Sequence, residues 1–90
     1  MADLQKIMDD IRELAGRPRN VALAEIERIV MQLQALGYDA GFRDTRHGRL
    51  YWVNARKFSI CTHHPGAKQV KSCYVREFLA AMIELELYEN

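Results

Sequence analysis

Cysteine is scarce in this chain. Its 90 residues hold two, Cys61 and Cys73, in no C-x-x-C pair. Reduced thiols are therefore expected rather than a disulfide framework. Long apolar runs are absent too, and none approaches the roughly 18 residues of a membrane span. The start, "MADLQKIMDDIREL", is charged and amphipathic. It has neither an apolar core segment nor a small-residue cleavage site, so no secretory signal is read there and a cytoplasmic protein is expected. Repeats, linkers and low-complexity tracts are also missing. Apolar content is ordinary, which argues against disorder and for one small domain with one core, residues 1–90.

Acid is scarce in one place only. From Arg43 to Arg76 there are eight basic residues and a single acid, Asp44, for a local charge of +7. The rest of the chain carries −6, so the net charge of +1 conceals a strong asymmetry. Such clustering suits an anionic partner, although scattered side chains on a solvated face would give the same count.

The apolar pattern orders the elements. Leu4, Ile7, Met8, Ile11 and Leu14 recur at helical steps, predicting a helix from about Asp3 to Ala15 that Gly16 and Pro18 end. Leu23, Ile26, Ile29, Val30, Leu33 and Leu36 predict a second helix, with Gly37 at a left-handed C-cap. The period then falls to two. Tyr38, Ala40 and Phe42 mark a strand, "RLYWVN" a second, and Phe58, Ile60 and Thr62 a third. Val75, Phe78, Leu79, Met82 and Ile83 give a last helix, with Ser72 as a possible N-cap and an end near Leu87. The expected fold is α+β in the order α-α-β-β-β-α. A three-stranded antiparallel meander is covered by helices on one face and open on the other. In the second strand, alternation is read with Leu50 and Trp52 toward the core and Tyr51 outward, where it could stack on a base.

Two segments carry a family resemblance. "RPRNVALAEIERIVMQLQALGY" resembles the start of small toxins of the HicA family, where an "NPKNV"-like lead precedes a helix ending in "GF" or "GW". "KSCYVREFLAAMIELELY" resembles the closing helix of longer members. The similarity spans residues 10–88, with residues 20–88 as the family core and residues 1–16 as an additional helix that packs on the domain or serves a partner. The resemblance implies a fold like that of double-stranded-RNA-binding domains. It also implies metal-independent cleavage of messenger RNA and neutralisation by a HicB-like antitoxin. The family's hairpin signature is "GSHH" or "GSH", and this chain has "TRHG". Counted from Gly37, His47 takes the place of the first, catalytic histidine; matched on the following aromatic, Gly48 or Arg49 does.

The residues themselves admit that chemistry. Cleavage without a metal needs a base near neutral pKa to activate the ribose 2′-hydroxyl, and cations where phosphate charge builds. His47 is the candidate base or acid, with His63 to assist. Arg43, Arg46, Arg49, Arg56, Lys57, Lys68 and Lys71 are the candidate RNA contacts. The plainer reading makes "TRHG" a hairpin turn and the domain a noncatalytic module whose basic face binds nucleic acid or an acidic protein. Cys61, His63, His64 and Cys73 are zinc-binding types in no recognisable finger spacing, so neither metal nor cofactor is expected.

Overall fold

The computed structural model describes residues 3–46, 48–61 and 69–89. It has the expected order: α1 (Leu4–Ala15), α2 (Leu23–Ala35), β1 (Ala40–Thr45), β2 (Gly48–Val53), β3 (Arg56–Cys61) and α3 (Ser72–Glu84). The strands form one antiparallel sheet in the order β1-β2-β3. All three helices lie toward one sheet face: α2 packs on β1 and β2, α3 on β3, and α1 against α2 and α3.

Each helix forms for a local reason. Asp3 caps α1 by accepting from the Lys6 N–H at 2.8 Å. The stripe Ile7, Ile11 and Leu14 is buried, so α1 is part of the core. In α2 the capping residue is Ala22, whose N–H donates to the Glu25 carboxylate at 2.8 Å. Arg17 holds the same carboxylate from the connector and also bonds Glu13 at 3.0 Å. The Arg17 hydrogen bonds hold the Glu25 carboxyl below its usual range, against the opposing pull of desolvation. A depressed carboxyl contributes stability above its unfolded pKa and loses it as pH falls through its folded value. Glu25→Gln should therefore lower stability at pH 7 and flatten its fall in acid, as thermal melts across pH 3–7 would record.

Both α2 and α3 end in a Schellman motif. In α2, Gly37 takes φ 106°, the Tyr38 N–H bonds the Leu33 carbonyl at 3.1 Å, and the Gly37 N–H bonds that of Gln34 at 3.0 Å. In α3 the same left-handed position falls on Glu86, at φ 62°, with the Leu87 N–H on the Met82 carbonyl at 2.8 Å. This returns Leu87 to the core, so the helix stops at Glu84, short of the expected end near Leu87. Ser72 is the first helical residue rather than the N-cap, a place that Lys71 takes without a side-chain bond. A Cβ in this left-handed region costs roughly 1–2 kcal/mol, which glycine avoids at some entropic cost. Glu86→Gly should thus stabilise the domain by about 0.5–1 kcal/mol, as a raised denaturation midpoint would show.

The face assignment of β2 differs from the sequence expectation. Tyr51 is 0% exposed and Val53 is buried, whereas Leu50 and Trp52 are half-buried on the open side. The reason is pairing. Tyr51 sits opposite both Phe42 and Phe58, and strand partners share a face. Rings of Phe42, Tyr51, Phe58 and Phe78 follow one another at centroid separations of 5.6, 5.5 and 5.6 Å, joining the three strands to α3. The Tyr51 hydroxyl is buried without a well-formed hydrogen bond, and burial raises its pKa.

The starts of α2 and α3 are tied together. The Val70 N–H bonds the Val21 carbonyl at 2.8 Å, Ala22 bridges Gln69, and the Gln69 amide donates to Asn20 at 3.0 Å.

Candidate functional site

The pairing register fixes which side chains share the open face. Across the sheet they form three rows: Gly41, Trp52 and Lys57; Arg43, Leu50 and Ser59; Thr45, Gly48 and Cys61. None of these nine is acidic. Arg43 and Lys57 are exposed, and among the described residues neither enters an ion pair.

Trp52 owes its posture to glycine. A Cβ on Gly41 would stand 2.8 Å from Trp52 Cζ2 and 3.3 Å from Cε2, so the indole lies across the bare backbone of its partner. Gly41 is buried beneath it, and Trp52 is half-buried. Two shallow grooves of about 460 and 440 Å³ meet on this surface, sharing Leu50 and Lys57. One extends past Trp52 and Arg43 to Asp39 and Asn54, the other along β3 to Cys73, Tyr74 and Glu77. Tyr74 lines the second groove together with Leu50 and Ser59, and its phenol pKa is raised, chiefly by the Cys61 thiol.

The turn at Asn54 closes the far end. Asn54 takes φ 54°, a conformation that asparagine tolerates better than most residues. Its side-chain carbonyl accepts from the Asp39 N–H at 3.1 Å, and its own N–H donates to the Asp39 carbonyl.

The structure divides the expected RNA contacts. Arg43 and Lys57 lie on the open face. Arg46 is exposed just beyond β1. Lys71 is exposed at the start of α3, beside Arg19 and Gln69. Arg49 and Arg56 are on the helix-covered side and engaged with acids. Arg49 bonds Glu27 of α2 at 3.1 Å and Asp44 at 3.0 Å, with its guanidinium 4.7 Å from the Phe42 ring centre. Arg56 pairs with Glu77 at 3.7 Å and with Glu84, both on α3. These two arginines join sheet to helix, and their charge is largely answered within the domain. His47, His63, His64 and Lys68 lie outside the described residues.

Trp52, taken for a core residue in the sequence reading, is the open face's aromatic side chain. Hairpin arithmetic carries the missing signal: the "NA" turn pairs position 53 with 56, hence 51 with Phe58 and 52 with Lys57.

Among the described residues, no helix is long and apolar enough to cross a membrane, and no three His, Cys, Asp or Glu side chains gather as a metal ion would require. Cys61 and Cys73 are free thiols. No family model, curated protein or solved structure matches this chain.

Proposed function

We propose that this chain is an RNA-binding domain of HicA-like type, with the open sheet face as its contact surface. The observation that carries the reading is the composition of that face: nine positions without an acid, two cations outside any ion pair of the described residues, and one aromatic ring. Phosphate needs such cations, and the aromatic adds affinity that is indifferent to sequence. The order from α2 onward is α-β-β-β-α, the order of the double-stranded-RNA-binding fold that the HicA resemblance implies, and it supports the reading. Messenger RNA and a HicB-like antitoxin are the partners this reading implies.

Were the chain also a ribonuclease, the hairpin sequence would make His47 its catalyst, with His63 assisting, in metal-independent cleavage through the ribose 2′-hydroxyl. The open face argues for binding and is neutral on cleavage. A labelled RNA incubated with the protein in EDTA separates the two. Retention in a gel-shift assay is expected, with affinity falling as salt rises. Two phosphate contacts on a single strand correspond to a slope of about −1.4 in log affinity against log salt. Cleavage by wild type but not by His47→Ala would add the ribonuclease activity. A gel shift without cleavage would leave a binding domain, and no retention even at low salt would overturn the proposal.

A further inference from the structure

We infer that the open face takes an unpaired nucleotide, its base stacked on Trp52 and the adjoining phosphates on Arg43 and Lys57. The inference rests on the RNA-binding reading above and specifies single-stranded over duplex RNA.

Three observations lead there. First, the indole packs over Gly41. Gly41 has no side chain, which leaves room for the six-membered ring of the indole over its strand partner, and Trp52 stays partly exposed. Second, the cations flank it. Lys57 is the direct strand partner of Trp52, and Arg43 lies one row along on the opposite strand. Neighbouring strands are about 5 Å apart, so both long side chains can reach phosphates on either side of a stacked base. Third, the path continues. Leu50 and Lys57 border both grooves, and the second groove runs on to Tyr74, a further aromatic side chain.

A duplex fits this face poorly. In an A-form helix the bases are stacked on one another, and proteins reach chiefly its phosphates, 2′-hydroxyls and groove edges. A flat ring in the middle of a sheet has nothing to stack on unless a base is turned out. A second copy of this chain is disfavoured as occupant, since it would bring Arg43 and Lys57 against their own counterparts.

Trp52 is the chain's single tryptophan, so its fluorescence reports this site alone. The test titrates the whole protein with a mixed-sequence RNA octamer, single-stranded or annealed to its complement, at low salt. The expected result is saturable quenching by the single strand and at least tenfold weaker binding of the duplex. Trp52→Leu should weaken single-strand binding about 10- to 100-fold, measured by anisotropy of labelled RNA, and Trp52→Phe only a few-fold. Equal thermal melts for the two variants would show that both fold alike. Should both variants melt poorly, wild-type quenching with single strand against duplex still decides. Duplex binding as tight as single-strand binding, without quenching, would overturn the inference and leave RNA binding standing. No binding of either RNA would overturn both. A tryptophan spectrum that shifts with protein concentration in the absence of RNA would assign the face to a second copy and overturn the inference.

Discussion

Gly48→Ala should cost this domain on the order of 3 kcal/mol or more, read as a melting midpoint lower by about 10–20 °C. Gly48 opens β2 and pairs with Thr45 on one side and Cys61 on the other. A Cβ placed there would stand 2.2 Å from the Ile60 carbonyl oxygen and 2.7 Å from the Cys61 Cα. Both are backbone atoms of the neighbouring strand, so no rotamer change relieves the contact. The strands must separate, which loosens Ile60 and the ring series behind it. Gly41→Ala is the control. The nearest atoms to its Cβ would be those of the Trp52 side chain, which can tilt away at far smaller cost. Thermal melts of the two variants side by side give the comparison. Equal midpoints would mean that β2 and β3 do not approach at Gly48 as described. Gly48 of "TRHG" is therefore required for strand pairing whether or not its neighbour His47 does chemistry.

The double variant Arg43→Glu/Lys57→Glu should weaken RNA binding about 100-fold or more and leave the melting midpoint within about 2 °C of wild type. Both residues are exposed and outside any ion pair of the described residues, so surface replacement changes stability little. Binding loses two cations and gains two repulsive charges beside phosphate. The matching control is Arg49→Gln. It should weaken RNA binding little but destabilise the domain, because Arg49 answers Glu27 and Asp44 and lies against Phe42. Anisotropy titrations and melts of the same samples check both expectations. Reversed behaviour, with Arg49 critical for binding and Arg43 and Lys57 silent, would move the contact surface to the helix-covered side.

The element order was legible because each helix carries a clean apolar stripe and each turn carries its own chemistry. Ile7, Ile11 and Leu14, or Ile26, Ile29, Val30 and Leu33, leave no choice of face. β2 was harder. Leu50, Tyr51, Trp52 and Val53 are four apolar residues in a row, and alternation alone does not set their phase. The phase comes from partners, Phe42 and Phe58, which lie 9 and 7 residues away in sequence. Net charge was misleading in a similar way. The run from Arg43 to Arg76 is basic in sequence, yet Arg49 and Arg56 fold onto acids contributed by α2 and α3. Such pairings across 22 and 21 positions are tertiary facts that no local window contains.

The most direct test of the central claim is an amide chemical-shift map of the domain with and without a short single-stranded RNA at low salt. The account predicts that the perturbed residues are Gly41, Arg43, Leu50, Trp52, Lys57 and Ser59, and that the exposed surfaces of α1 and α2 stay unchanged. Perturbations confined to the helices, with the open face silent at saturating RNA, would contradict it.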